Sequence, residues 1–418
     1  MKISLNTPAR RATIAAVAAV LGLAYIAIAT SVFVASWYGE RVELKSLKRA
    51  AWLDPGNAEY RDHLGRYYDL VVRDPGAAVE EYKIAAQLNP HSARYWFDLA
   101  SSYQVLGDTK SQTAALERAI KADATTPDVA WEAANLYLVQ GENEKALREF
   151  GVVIANDPSL ANIALQFAWR IDPDIDSMLR DIVPVRADAY TGFLELLESK
   201  QETNSTAKVW NALMQTHQPF EIAHGYDYIR YLVQHKEVDQ AVQAWQQIAS
   251  RFGLTAYLPS STNLIVNSNF NLKVLNAGFD WQHQKQSSVT LTLDPSDFHA
   301  GRRSLLITFD GPGIVESGIY QLVAVQPNTT YDFSGYYKTG EFEGAGGPHF
   351  TIQDMYTQAV YYESEELRDT GFWRSADGEF TTGPDCRLIV LHVRRLPAGS
   401  PMRGKLWIGD FHLTRKPS

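Results

Sequence analysis

Three patterns of hydrophobic and polar residues follow one another along this chain of 418 residues. Residues 13–37 form one apolar run without a charged side chain. Residues 40–252 carry the apolar faces of successive helix pairs. Residues 263–415 hold short apolar or alternating runs between Gly, Pro, Asn and Asp clusters, as β-strands and turns do. The predicted fold is an N-terminal transmembrane helix, an all-α superhelix and, after a linker at residues 253–262, an all-β jelly-roll sandwich.

The apolar run is long enough to be a membrane anchor, because at 1.5 Å per helical residue it crosses a bilayer core of roughly 30 Å. Basic residues before it favour a cytoplasmic tail at residues 1–12, although others follow soon after it: Lys2, Arg10 and Arg11 precede, and Arg41, Lys45, Lys48 and Arg49 follow. A cleaved signal peptide, with "AIA" ending at Ala29 as its cleavage site, is the competing interpretation. We expect a single-pass inner-membrane protein with most of its chain in the periplasm.

The helical region contains internal repeats. Segments that begin at Ala93 and Pro127 are offset by 127 − 93 = 34 residues, and Gly107 matches Gly141 within them. A unit from Asn57 fits with one extra residue in its turn, and "LKSLKRAAWLDP" before it looks like the second helix of a half repeat. Looser units begin at Ala187 and Ile222, and residues 159–186 are degenerate.

This period and these positions resemble the tetratricopeptide family. Each helix pair has one apolar face that it cannot bury alone, so neighbouring pairs stack into a superhelix. Small residues such as Ala100 and Ala134 stand where two helices cross, and Trp96 and Trp131 are expected to fill the core. The resemblance implies that the concave groove binds a protein partner, whose identity the sequence does not give.

The order of the β-region segments resembles the galactose-binding-like sandwich of bacterial carbohydrate-binding modules. An opening Asn-x-x-Phe segment ends at Phe270, "TYDFSGYYKT" lies mid-domain, and the closing strand contains "DFHL". The resemblance implies a jelly-roll sandwich that binds polysaccharide. In that family a structural calcium often lies between the first strand, the Gly-x-x-Ser turn and the last strand. Asp410 fits such a site, but Asn271 stands where an acidic residue is usual.

Strand parity selects candidate sugar-binding residues, because side chains of a strand alternate between its two faces. In "TYDFSGYYKT", Tyr331, Phe333 and Tyr337 form the better core set, which leaves Tyr336 as the ring for a ligand. A loop-like segment after "HFTIQD" supplies further tyrosines. The predicted carbohydrate-binding set is therefore Tyr336, Gln353, Asp354 and Tyr362, and the alternative is a solvated sheet face.

The amino-acid composition excludes some partners and some chemistry. The net charge of −9 means that the chain lacks the excess of basic residues that nucleic-acid-binding proteins use. The single cysteine, Cys386, permits no intramolecular disulfide. Without a nucleophile elbow, a phosphate loop or a zinc helix, we expect a non-enzymatic protein that needs no cofactor other than that possible calcium.

The sequence therefore predicts a membrane-anchored scaffold or adaptor of the bacterial cell envelope that serves polysaccharide synthesis, export or attachment. One alternative is a scaffold whose sandwich is purely structural or binds protein. A second is a glycan hydrolase with an unrecognised carboxylate site that involves Glu365 or Asp354.

Overall fold

A computed structural model describes residues 8–368, 370–395 and 401–416. Residues 1–7 of the predicted cytoplasmic tail lie outside these ranges. The chain divides into two compact units, Met1–Lys200 with Lys208–Thr216, and Gln201–Ala207 with His217–Ser418. The first unit is helical, and the second joins the last helix pair to a β-sandwich.

Helix α1 spans Pro8–Gly39 and has two different parts. Its side chains are exposed as far as Thr30, and its most apolar 18 residues have a mean hydropathy of 2.3. From Ser31 onwards it packs on helix α2, Leu44–Leu53: the Ser31 hydroxyl donates to the Leu53 carbonyl at 2.9 Å, and Ala35 is fully buried. The end of α1 therefore serves as the first helix of the predicted half repeat.

The remaining helices form consecutive pairs, as the repeats predict. They are α3 Ala58–Tyr67 with α4 Pro75–Leu88, α5 Ala93–Leu106 with α6 Thr109–Ala122, α7 Pro127–Gln140 with α8 Asn143–Asn156, α9 Pro158–Ile171 with α10 Ile175–Ser177, α11 Ala187–Ser199 with α12 Thr203–Gln215, and α13 Ile222–Gln234 with α14 Val238–Arg251. The degenerate stretch 159–186 is thus a pair whose second helix is short and runs into a π-helical turn at Met178–Ile182.

Local sequence explains these helix ends and crossings. Gly107 and Gly141 end α5 and α7 in the left-handed conformation, with φ of 74° and 76°, which suits glycine. The extra residue of the unit from Asn57 is absorbed by a π-helical turn at Tyr68–Val72. Ala100 and Ala134 are fully buried where helices meet, as predicted.

The sandwich has two antiparallel five-stranded sheets. The first sheet has the order β1-β4-β9-β6-β7 and the second β2-β3-β10-β5-β8. The strands are β1 Gln282–His283, β2 Val289–Asp294, β3 Ser304–Gly311, β4 Glu316–Ala324, β5 Thr330–Glu343, β6 Pro348–Asp354, β7 Val360–Glu363, β8 Arg374–Thr381, β9 Leu388–Arg395 and β10 Met402–Arg415. Rings from both sheets meet in the core, where the ring centres of Phe333, Phe350 and Phe411 lie within 6.4 Å of one another.

Two local predictions are wrong. The opening apolar run "NLIVNSNF", which its composition predicts to be the first strand of the sandwich, is not a strand: Asn267 and Phe270 have positive φ, so the chain turns there and inserts Phe270 into the core. "VYYE", predicted to be part of a loop, is strand β7, because it pairs with β6 through Thr351 and Ile352.

The last helix pair packs within the same unit as the sandwich. Trp245 of α14 is buried, and its indole N–H donates to the Tyr257 carbonyl at 3.1 Å. A Cβ on Gly278 would lie 2.4 Å from the Trp245 ring, so only glycine permits this approach. The Tyr257 hydroxyl in turn donates to the Lys273 carbonyl at 2.7 Å, which fixes the segment between the helices and the sandwich.

Candidate functional site

A row of polar side chains crosses the outer face of the first sheet. Strand pairing aligns one outward-facing residue from each strand, in the order Gln282, Tyr320, His392, Thr351 and Glu363, which we call the polar row. The Tyr320 hydroxyl donates to the Gln282 side-chain oxygen at 3.0 Å. The row combines an aromatic ring with amide, imidazole, hydroxyl and carboxylate groups.

The centre of the polar row has unused hydrogen-bonding capacity. His392 and Thr351 are 7% and 1% exposed, and neither His392 Nε2 nor Thr351 Oγ1 has a hydrogen-bond partner in the described part of the chain. Buried polar atoms without partners cost free energy, so a ligand or water that reaches them is favoured. Glu316 borders the row, 3.3 Å from His392 Nδ1 and 2.6 Å from Arg394 Nε.

The outer face of the second sheet carries Tyr336, the ring singled out from the sequence. Parity is confirmed here, since Tyr331, Phe333 and Tyr337 are buried and Tyr336 lies on the other face. However, His299 stacks on the Tyr336 ring, with ring centres 3.7 Å apart and planes at 11°. His299 Nδ1 also lies 2.8 Å from an oxygen of Asp410, so the imidazole is held in place over the tyrosine.

Other polar groups of this second face are bound by the end of β2 and by the loop between β2 and β3. Asp297 accepts hydrogen bonds from the Lys338 ammonium and, at 3.0 Å, from the Trp373 indole. Asp294 accepts from the Trp407 indole at 2.7 Å. The indoles of Trp373 and Trp407 thus have partners within the protein.

The four predicted carbohydrate-binding residues do not come together. Tyr336 lies on the second sheet, and Gln353 lies on the outer face of the first sheet, where its oxygen accepts from Arg394 Nη1 at 3.1 Å. Asp354 and Tyr362 belong to the first sheet but face inwards. Of the four, only Gln353 lies beside the polar row.

Asp354 has a structural role in the β6–β7 turn. One of its oxygens accepts from the backbone N–H groups of Tyr356 and Thr357, at 2.7 and 2.8 Å. Burial alone would raise the pKa of Asp354, but the hydrogen bonds, led by that from Thr357, lower it below its usual range. The carboxylate is therefore occupied by its own turn.

Tyr362 packs between the sheets. Its ring centre lies 5.2 Å from that of Phe333, and its hydroxyl donates to the Asp377 carbonyl at 3.3 Å. Gly378 makes room for it, because a Cβ there would lie 2.1 Å from the ring. Burial raises the pKa of the Tyr362 phenol to about 12, so it stays neutral and acts as a packing residue.

The region predicted to hold calcium brings its expected parts together. Asn271 meets the turn after Gly301, since its side-chain oxygen accepts from the Arg302 N–H at 2.8 Å. The Arg303 guanidinium donates to the carbonyls of Phe270 and, at 3.2 Å, Asn271. Asp410 instead lies against two histidines, His299 and His412. The Arg303 guanidinium thus occupies the carbonyl oxygens of Phe270 and Asn271, and the calcium site stays a prediction.

The helical unit has a pocket of about 570 Å³ beside α9. It is lined by Gln166, Phe167, Trp169, Arg170, Pro173 and Lys200. Arg170 and Lys200 are exposed, and neither has an ion-pair partner within the described residues. Aromatic rings beside two such cations suit a partner segment that carries a negative charge and an apolar side chain.

Sequence reasoning missed Tyr320 and His392. Both faces of the β4 segment are mostly apolar, so strand parity does not decide which way Tyr320 points, and no motif singles out His392 in the sequence. The signal that unites them is the pairing of Tyr320 with His392 across strands that are distant in sequence.

Comparisons with known proteins agree with this architecture. A family model of a carbohydrate binding domain matches residues 262–394. The curated tRNA3(Ser)-specific nuclease WapA of Bacillus spizizenii is 24% identical over 166 residues, which are 38% of this chain and 7% of the nuclease. The chain thus spans only a small part of that relative's length.

Solved structures resemble both regions. A CBM4 structure is 16% identical, with 36% of this chain and 99% of that chain covered and a TM-score of 0.29. MamA is 21% identical, with coverages of 41% and 85% and a TM-score of 0.24. PilF of Pseudomonas aeruginosa is 14% identical, with coverages of 54% and 92% and a TM-score of 0.25. The family model thus supports a carbohydrate-binding-type domain over residues 262–394.

Proposed function

We propose that this protein is a non-enzymatic, membrane-anchored adaptor of the cell envelope whose sandwich binds a polysaccharide at the polar row. The row carries the proposal, because it joins an aromatic ring to buried polar atoms that lack partners in the described chain. Sugars are bound by such combinations, with a ring against the sugar face and polar groups on its hydroxyls. The helix pairs bind a protein partner, and their pocket beside α9 is the candidate contact.

The two parts of α1 support anchoring. The exposed part, residues 8–30, is about 34 Å long at 1.5 Å per residue, close to the bilayer core of roughly 30 Å. A signal sequence has the same composition and position, and it is the alternative to an anchor. Cleavage after Ala29 would leave the part from Ser31 to Gly39 packed on α2, so the repeat array does not distinguish the two.

A binding assay tests the glycan proposal. The full chain in detergent is titrated with xylohexaose, cellohexaose and laminarihexaose, and Tyr320→Ala and Tyr336→Ala are compared with the wild type. We expect at least one hexasaccharide to bind and Tyr320→Ala to weaken it by about tenfold, which is about 1.4 kcal/mol. Tyr336→Ala serves as the matched control on the second face and should bind as the wild type does.

Each result of this assay has a defined meaning. Loss of binding in Tyr336→Ala but not in Tyr320→Ala would move the site to the second face, as the sequence alone predicted. The absence of binding to every hexasaccharide would support a sandwich that is structural or binds protein. Release of shorter sugars from a hexasaccharide would contradict the non-enzymatic proposal.

A topology reporter at the C terminus tests the anchor. The reporter is an enzyme that works only outside the cytoplasm, and we expect activity when it is fused to the C terminus. Mass spectrometry of the mature chain should show that its N terminus is retained. A cytoplasmic reporter signal would overturn the envelope proposal, and a mature chain that starts after Ala29 would show that α1 is a signal sequence.

A further inference from the structure

The second sheet has two edge strands, β2 and β8, and β2 lacks the protection that β8 has. Strand β2 pairs only with β3, so its other side is a free edge of the sheet. At the opposite edge, β8 carries exposed charges at Arg374, Asp377 and Glu379. Charged side chains commonly prevent an edge strand from pairing with another chain, and β2 has none between Val289 and Leu293.

The strand register shows which backbone groups of β2 point to the free edge. The Asp310 N–H of β3 donates to the Ser288 carbonyl at 2.9 Å, so this pair and every second pair after it hold the bonds to β3. The N–H and C=O groups of Val289, Leu291 and Leu293 therefore point away from β3. No backbone hydrogen bond joins them to another residue of ranges 8–368, 370–395 and 401–416. Such a row of unpaired groups is a template for a further strand.

An apolar cleft of about 520 Å³ opens beside this edge, between the two sheets. The side chains of Val289, Leu291 and Leu293 line it and are only partly buried, although they pack against the core. Leu305 and Ile319 line the same cleft and are 4% and 2% exposed. The core is thus incompletely covered at β2, and a strand added along β2 would extend that cover.

The sequence of β2 is self-complementary about Leu291. In an antiparallel pair of two copies centred on Leu291, Thr290 lies opposite Thr292 of the other copy, and Val289 lies opposite Leu293. Residues opposite each other share a face of the sheet, so the apolar side chains of both copies meet beside their clefts. Because Leu291 has free backbone groups, this register bonds all three free N–H groups of each copy to free carbonyls of the other.

The two ends of β2 are complementary in charge. Lys285 precedes the strand, is exposed and has no ion-pair partner in the part of the chain that the structure describes. Asp294 is the last residue of the strand. Antiparallel pairing brings the start of one copy's strand beside the end of the other's, so a lysine end meets an aspartate end on both sides of the pair.

We propose that a second copy of this chain binds along β2, so that the two second sheets join into one continuous sheet of 5 + 5 = 10 strands. A two-fold interface needs a surface that is complementary to itself, and β2 has this property in its side chains, its free backbone groups and its charges. The inference concerns self-association and is independent of whether the sandwich binds a polysaccharide.

An exchange of charges tests this pairing. Thr290 and Thr292 are exposed, so lysine at both positions leaves the core intact but places like charges opposite each other in the dimer. Light scattering of the full chain in detergent should show a wild-type dimer that forms with rising protein concentration. We expect Thr290→Lys/Thr292→Lys and Thr290→Glu/Thr292→Glu each to associate at least tenfold more weakly. An equimolar mixture of the two variants should recover the dimer, because each lysine then faces a glutamate.

A disulfide provides a second readout of the register. In the proposed pair the two Leu291 residues face each other with Cα atoms about 5.5 Å apart, which suits a disulfide. Oxidation should therefore link two copies of Leu291→Cys but not two copies of Ala376→Cys, its counterpart on β8. The native Cys386 is buried, and burial raises the pKa of its thiol to about 12, so it should not form a link between copies.

Ser375→Lys, on the exposed side of β8, is the matched control for the charge variants and should associate as the wild type does. Thermal melting should show that all variants stay folded. A wild type that is monomeric at every concentration would overturn the proposal, as would a dimer that persists in both charge variants. Equal weakening by Ser375→Lys, or a mixture that does not recover the dimer, would also show that β2 is not the interface.

Discussion

The two outer faces of the sandwich have similar residues but a different state of hydrogen bonding. Both combine aromatic rings with carboxylates and histidines. On the first face, His392 and Thr351 have buried polar atoms without partners in the described chain. On the second face, Tyr336 is stacked by His299, which is held by Asp410.

This difference shows why ring content alone does not identify a binding surface. A ring that is already stacked contributes less free energy to sugar binding, because its existing stacking contact must first be broken. A buried polar atom without a partner costs free energy, so a contact that supplies a hydrogen bond to it is favoured. The first face is therefore the stronger candidate, and three changes test the contrast.

The largest effect on stability is expected from Arg303→Ala. Its guanidinium ties the end of the loop over the second face to the carbonyls of Phe270 and Asn271. Loss of these charge-assisted hydrogen bonds should lower the free energy of unfolding by about 2–3 kcal/mol. Urea titration, followed by the fluorescence of the sandwich, measures this change.

Arg302→Ala is the matched control, because the backbone N–H of Arg302, which the change retains, bonds Asn271. It should alter the urea midpoint much less than Arg303→Ala does. We also expect equal melting temperatures of the wild type in calcium chloride and in EDTA, since Arg303 already binds the carbonyls. A calcium-dependent rise in melting temperature would contradict this account and restore the calcium site predicted from the sequence.

A smaller effect is expected from His299→Ala, which uncovers Tyr336. Stacked aromatic pairs contribute about 0.5–1.5 kcal/mol, so the free energy of unfolding should fall by about 1 kcal/mol. Tyr336 should become more reactive towards iodination, measured by mass spectrometry, while hexasaccharide affinity stays unchanged. An increase in affinity would show that the second face binds sugar once uncovered and would weaken the contrast between the two faces.

Sequence reasoning predicted what depends on local pattern. The 34-residue offset located α5 to α8, and parity within β5 separated the buried Tyr331, Phe333 and Tyr337 from Tyr336. Gly107 and Gly141 end their helices because their backbone conformation suits glycine. These features arise from neighbours in the chain, so one sequence suffices to predict them.

The candidate site depends on pairing between distant segments, which the sequence pattern does not contain. Tyr320 meets His392 only because β4 lies beside β9, and His299 covers Tyr336 from a loop two strands earlier in the chain. Strand parity predicted the face of the strand on which each side chain lies, but not which part of the protein lies against that face. The predicted set of Tyr336, Gln353, Asp354 and Tyr362 was therefore spread over two sheets and both faces.

The smallest expected effect concerns acid at the β6–β7 turn of the first sheet. Hydrogen bonds lower the pKa of Asp354, so its carboxylate stabilises the fold above the ordinary carboxyl pKa of about 3.9, and this contribution is lost as the pH falls through the lower folded value. The β6–β7 turn that it caps also holds Tyr356 against Val233 of α13. Asp354→Asn keeps an acceptor for the two N–H groups but removes the charge. We therefore expect its free energy of unfolding at pH 7 to be lower than that of the wild type by under about 1 kcal/mol. At pH 3 the difference between the two proteins should be smaller. Urea midpoints of both proteins at the two pH values measure this. A difference that stays constant with pH would show that the charge of Asp354 does not hold the turn.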